Sequence, residues 1–179
     1  MLKPEKAVLI LVDVQDKLSA AMHEKEALID STVRIAKGAK ILGVPILWTE
    51  QNPQGLGPTV PEVRAVLTEG EPVTKLSFSC CGEPRFMDAV EKLGRKQVII
   101  GGIESHVCVY QTVADLLSRG FEVQVLADCV SSRTPANRDV GLEKCRQLGA
   151  GITSVETALF EMLGAAQGDK FKQMLKVVK

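Results

Sequence analysis

The sequence predicts an α/β fold, with a parallel sheet of about six strands covered by helices on both faces. Three observations lead there. Short, β-branched apolar runs recur along the chain, amphipathic stretches of helical period separate them, and the runs are nearly continuous rather than alternating. Continuous apolar runs belong to strands buried on both faces. Strands alternating with helices imply right-handed crossovers and hence a parallel sheet. At 179 residues the chain reads as a single domain, 1–179, long enough for a large core.

The elements follow in order. AVLILVDV (7–14) is short for a helix and reads as the first strand. An early lysine pair gives this N-terminus a crude likeness to a signal peptide, but the run is β-branched, reaches Asp13 and lacks a small-residue cleavage site. From Glu24 to Leu42, Ala27, Leu28, Ile35, Ala39 and Leu42 keep a helical period that stops at Gly43, a residue suited to a left-handed helix end. Val44 to Glu50 is the second strand, with Pro45 near its start, where a missing amide is tolerated. QNPQGLGPTVPE (51–62) is rich in proline and glycine and reads as a loop. Residues 72–75 form a short third strand, and a helix follows over about 84–93. Residues 97–102, 122–127 and 151–154 are the remaining strands, and 107–119, 136–148, 155–163 and 169–177 are helices.

Composition narrows the function classes. Lys plus Arg and Asp plus Glu each number 22, so no basic excess exists to neutralise phosphates, and nucleic acid is not an expected partner. No apolar run nears the ~20 residues that cross a bilayer, so no membrane partner is expected. Near-zero net charge leaves self-association open, and a homo-oligomer is expected. The five cysteines are odd in number and show no CxxC spacing, which fits a reducing cytoplasm better than a disulfide framework. Cys80 and Cys81 read as two neighbouring thiols in a loop.

In parallel sheets the ligand crevice lies beyond the carboxyl ends of the strands, at a topological switch point. Three polar residues stand there: Asp13 in the first apolar run, Lys75 ending the third, and Cys108 just past the fourth. Each has an ordinary reading alone. A strand-end Asp is commonly a cap or turn residue, a strand-end Lys is commonly solvated, and a Cys is commonly core. Together they make a coherent site. Lys75 and the positive end of the following helix favour a Cys108 thiolate, and Asp13 can accept and return its proton.

The ordered set DVQ (13–15), KLSFS (75–79), GGIESHVCV (101–109) and ADCVSSR (127–133) resembles the isochorismatase-like cysteine hydrolases, over about residues 6–163. The resemblance implies a three-layer Rossmann-like fold and an Asp13–Lys75–Cys108 triad. It also implies a cis peptide at Ile103–Glu104, which aims the Glu104 amide, with that of Cys108, at an oxyanion. Nicotinamidases of similar fold hold a metal through Asp-x-His and a further His, whereas WTEQNPQGLG (48–57) has no histidine. No metal and no cofactor are therefore expected. Gln15, Trp48, Glu50, Gln51, Phe78, Ile103 and His106 are candidate pocket residues, against core packing or solvated loop as the alternatives. Tyr110 is a further candidate wall. GGIESH lacks both the GxGxxG and the GxxxxGK[ST] patterns, so it is a weak phosphate loop.

The function that the resemblance, with Cys108 retained, implies is hydrolysis of a C–N bond, amide or carbamoyl, in a small-molecule substrate through a Cys108 thioacyl intermediate. Alternatives are a vinyl ether hydrolase of the isochorismatase type, a thiol redox protein in which a second cysteine resolves Cys108, and a catalytically silent oligomeric scaffold.

Overall fold

The computed structural model describes residues 1–179. Its sheet has six parallel strands in the order β3-β2-β1-β4-β5-β6. These are β1 (Ala7–Val12), β2 (Ile46–Gln51), β3 (Val73–Lys75), β4 (Gln97–Ile103), β5 (Glu122–Ser131) and β6 (Gly151–Thr153). The chain winds outward from β1 to β3, then returns to place β4 on the other flank of β1, so the switch point lies between β1 and β4. Every residue of β1 and of β4 is buried, which is why β1, and β4 after Gln97, read as apolar runs.

Strand alternation divides the core into two layers. Ala7, Leu9 and Leu11 face α2 (Lys25–Leu42), α8 (Val155–Leu163) and α9 (Gly168–Val178). Val8, Ile10 and Val12 face α5 (Pro84–Lys92), α6 (Tyr110–Ser118) and α7 (Pro135–Gln147). The end of α2 matches its sequence signal, and two later helices start on side-chain caps. Gly43 takes the left-handed conformation after α2, and the Thr134 and Ser154 side chains accept from Asn137 and Thr157 amides at the starts of α7 and α8.

The structure differs from the sequence reading in three places. The helix expected over 107–119 begins as a π-helical turn, Ser105–Val109, before becoming α6. The fifth strand continues to Ser131, past the expected end at 127, beyond an irregularity in its pairing with β4. The segment after β1 forms a short helix, α1 (Asp16–Ala20), and the 51–62 loop contains two more, α3 (Pro53–Leu56) and α4 (Pro61–Arg64). Each is one turn long, too short to leave a periodicity.

Gly101 and Gly102 are explained by packing rather than by phosphate binding. A Cβ on Gly102, whose φ is +121°, would collide with the Val12 carbonyl, and one on Gly101 would sit 2.9 Å from the Cys129 carbonyl. The pair lets β4 approach both neighbours just before the turn that carries Cys108.

Candidate active site

Asp13 ends β1 in a left-handed backbone conformation (φ 53°), which Asp tolerates better than most residues. Its amide donates to the Thr49 carbonyl at 3.2 Å, tying this turn to β2. Its carboxylate is fully buried and doubly held: Thr49 Oγ1 donates to Oδ1 at 2.7 Å, and Lys75 Nζ donates to Oδ2 at 2.7 Å.

Lys75, also fully buried, gives its ammonium three further acceptors. These are Gln51 Oε1 at 2.8 Å and the carbonyls of Phe78 at 3.0 Å and Ser77 at 3.1 Å. A buried ion pair is tolerable only when its remaining hydrogen-bonding capacity is used, and here it is. Gln51 Nε2 in turn donates to the Leu76 carbonyl at 2.8 Å, so the segment after β3 wraps the ammonium it serves.

Cys108 lies in the Ser105–Val109 turn, nearly buried, and packs in the same layer as Cys80. Thr112 links the two: its hydroxyl donates to the Cys108 carbonyl at 2.7 Å and accepts from the Cys80 amide at 2.9 Å. Burial, above all, pushes the Cys108 thiol up to about 12; Lys75 pulls it down, and Asp13 pushes it up again. This corrects the sequence expectation of a resting thiolate. Lys75 acts in the expected sense, but desolvation outweighs it, and the carboxylate that pairs with Lys75 cancels part of its field. The balance at Cys108 favours the thiol form.

The Ile103–Glu104 peptide is cis. The amides of Val107 and Val109, on either side of Cys108, donate to the Glu104 carbonyl at 3.1 and 3.2 Å. Helix α7 backs this turn closely, since a Cβ on Gly141 would lie 2.6 Å from the His106 amide nitrogen.

The other candidate residues separate by strand face. Thr49 and Gln51 point to the Asp13–Lys75 side of β2, and Trp48 and Glu50 to the other. Trp48 is therefore not a wall beside Cys108: it is core, packed in the layer of Val63 and Leu67 with Arg64 over its ring at 5.6 Å. Strand alternation is the physical reason. Glu50 Oε1 accepts from the amide and the hydroxyl of Thr59, both at 2.7 Å, and so anchors the 51–60 loop. Gln15, fully buried, anchors the same loop through Gln51 and the Gly57 carbonyl. Phe78 is more than half exposed next to the lysine cage, and Ile103 is wholly buried. His106 turns to the residue just past β5, with Nδ1 3.0 Å from Ser132 Oγ. Tyr110 lies under Lys144, whose Nζ is 4.6 Å from the ring centre. No three His, Cys, Asp or Glu side chains converge as metal ligands.

Two contributors escape the sequence reading: Thr49, which orients Asp13, and Cys80, whose thiol lies 3.7 Å from Thr49 Oγ1. Alternation along β2 was the available signal for Thr49, because it shares a face with Gln51.

The isochorismatase domain matches residues 7–157. Isochorismatase domain-containing protein 2A of Mus musculus is 38% identical over 98% of this chain and 84% of its own length. The secreted isochorismatase effector Isc1 of Phytophthora sojae is also 38% identical, over 98% and 86%. Among solved structures, the MAR1 ribonuclease from Caenorhabditis elegans superposes with a TM-score of 0.93 at 36% identity, covering 99% of this chain and 91% of that one. The YcaC gene product of Escherichia coli, described as an octameric hydrolase of unknown specificity, has a TM-score of 0.93 at 23% identity over 98% and 88%, a likeness of fold. Since the domain spans most of the sequence and these relatives align over nearly all of it, the chain belongs to the isochorismatase family.

Proposed function

We propose that this isochorismatase-family hydrolase, acting as one domain, cleaves a C–N bond, amide or carbamoyl, of a small molecule through a thioacyl intermediate on Cys108. The observation that carries the reading is the buried Asp13–Lys75 pair, 2.7 Å apart, acting on the Cys108 thiol beside the switch point. In the first step the thiol passes its proton to Asp13 as Sγ bonds to the carbonyl carbon. The Glu104 and Cys108 amides hold the oxyanion. Collapse breaks the C–N bond, and the proton on Asp13 leaves with the amine. Asp13 then takes a proton from water, whose oxygen attacks the thioester, and collapse releases the acid and regenerates the thiol with the proton held by Asp13. Lys75 holds Asp13 in place throughout, and the steps use the protein's own groups and water.

With the thiol pushed up to about 12, its proton moves together with the attack rather than before it, and Asp13 is the group placed to accept it. The ribonuclease name of the C. elegans protein finds no support in the charges here: Lys75 is wholly enclosed and the chain has no net charge to follow a phosphate backbone. Homo-oligomerisation is supported by the exposed apolar side chains of Leu76, Phe78, Val140 and Leu148. A reducing, cytoplasmic setting is supported by five free, buried cysteines. No helix is long and apolar enough to cross a membrane.

Ammonia release from a panel of primary amides and carbamoyl compounds tests the reading. Turnover should vanish in Cys108→Ala and in Asp13→Asn while both variants keep the wild-type circular dichroism. Undiminished turnover in either would remove that residue from the mechanism.

A further inference from the structure

Two of the four acceptors around the Lys75 ammonium are the Ser77 and Phe78 carbonyls, so the segment that bears them has to be held in place. Ser77 Oγ donates to the Ser79 carbonyl at 2.8 Å. From Ser79 onward the segment is fastened to α6. Ser79 Oγ donates to Asp115 Oδ2 at 2.6 Å, and the Cys80 amide donates to Thr112 Oγ1 at 2.9 Å. Ser79 Oγ also accepts from the Cys81 amide at 3.2 Å, capping a turn of 3-10 helix over Cys80–Gly82. Thr112 and Asp115 stand three positions apart and so share one face of α6.

Helix α6 is also the continuation of the turn that carries Cys108. Thr112 Oγ1 donates to the Cys108 carbonyl at 2.7 Å. A threonine hydroxyl bonded to the carbonyl four residues back is common in helices and by itself assigns no role. Here the same oxygen, wholly buried, also takes the amide of a segment 32 positions away. Hydrogen bonds therefore run from Asp13 through Lys75 to the 77–80 segment, and from that segment through Thr112 to Cys108. Lys75 pulls the Cys108 thiol down and Asp13 pushes it up, and both effects depend on the spacing that this path fixes.

We infer that Thr112, with Asp115 beside it, is a positioning residue: it holds the loop enclosing the Lys75 ammonium against the helix that carries Cys108, and so sets how strongly the ammonium acts on the thiol. This rests on the reading of Cys108 as nucleophile and extends its machinery beyond Asp13 and Lys75. Without the Thr112 hydroxyl the buried Cys80 amide loses its acceptor, and the segment has to move to find another. The Ser77 and Phe78 carbonyls move with it, the ammonium loses its fixed place, and Cys108 holds its proton harder.

The test is alkylation by iodoacetamide at about pH 8, below the ordinary thiol range, with the rate at each cysteine resolved by mass spectrometry. Sulfur displaces iodide, and the thiol proton passes to the buffer. Thr112→Val should slow Cys108 by about threefold or more, the thiolate lost for half a pKa unit, and Thr112→Ser should restore the rate. Cys129, fully buried in the other layer of the core, reports general opening of the fold and should keep its rate in both variants. Asp115→Ala and Asp115→Asn lose the same charge, but Asn keeps an acceptor for Ser79, so Cys108 should react more slowly in the Ala variant; this pair decides alone where Thr112→Val does not fold. An unchanged or faster Cys108 rate in Thr112→Val, equal loss in Val and Ser, or equal rates in the Asp115 pair overturns the inference. Labelling needs no turnover, which separates it from the hydrolase reading. Unchanged labelling in Thr112→Val beside an inactive Cys108→Ala overturns the positioning role and leaves the nucleophile standing. Slowed labelling restored by Ser, beside an active Cys108→Ala, does the reverse.

Discussion

Replacing Lys75 with Met removes one charge from the middle of the fold while keeping the length of the side chain. The Asp13 carboxylate would stay fully buried with Thr49 as its remaining side-chain donor, and Gln51 Oε1 and the Ser77 and Phe78 carbonyls would each lose a donor. Breaking a buried pair from one side costs about 3–5 kcal/mol, because the partner charge is stranded. At about 2–4 °C per kcal/mol for a domain of this size, the melting temperature should fall by roughly 6–20 °C. Guanidinium unfolding followed by circular dichroism measures the change, with the slope checked for constancy. The double variant Asp13→Asn/Lys75→Met should lose less than the sum of the two single losses, by about 0.5–3 kcal/mol, since neither charge is left alone. A loss below about 1 kcal/mol in Lys75→Met, or strict additivity in the double variant, would show that the ammonium is not enclosed between these oxygens.

Three further outcomes follow from the same geometry. Burial foremost pushes the Cys80 and Cys129 thiols from their ordinary value near 9 up to about 12. A folded value above the unfolded one contributes stability that is complete below pH 9 and is lost as pH climbs towards 12, about 4 kcal/mol per thiol. Urea midpoints should therefore fall steeply between pH 9 and 11, less so in Cys129→Ala, and a flat profile would refute this account. Thr49→Val removes the donor to Asp13 Oδ1 and should lower stability by about 1.5–3 kcal/mol, with Thr49→Ser restoring most of it; equal losses in the two variants would assign the effect to packing instead. Gly141→Ala should cost about 1–3 kcal/mol and alter the labelling rate of Cys108, because the added carbon meets the backbone of Ser105 and His106; an unchanged rate would mean that α7 does not set the position of the turn.

The strands and the rim were legible in the sequence for a plain reason. Strands buried on both faces are apolar at nearly every position, so AVLILV and VIIGGI stand out, and in a parallel sheet the residues just past such runs gather at one edge. Asp13, Lys75 and Cys108 could be named on that basis with the help of the family resemblance. What each side chain touches was not legible, because it depends on strand face and on segments far apart in the chain. Trp48 and Thr49 are adjacent in sequence, yet one belongs to the core under α2 and the other holds the Asp13 carboxylate. Gln51 reads as a loop residue until β3 pairs beside it and brings Lys75 within 2.8 Å.

The state of the nucleophile belongs to the same division. From sequence, a lysine and a helix start near a cysteine argue for a thiolate. Tertiary structure decides for a thiol, since it alone sets how much water is excluded from Cys108 and how closely Asp13 offsets Lys75. Sequence by itself determined the order of strands and helices and which polar residues end them, because those follow from local hydrophobic period. Only tertiary structure decided which of those residues meet, which charges cancel and how hard the thiol holds its proton, because these are set by distance and desolvation between segments up to 95 positions apart, from Asp13 to Cys108.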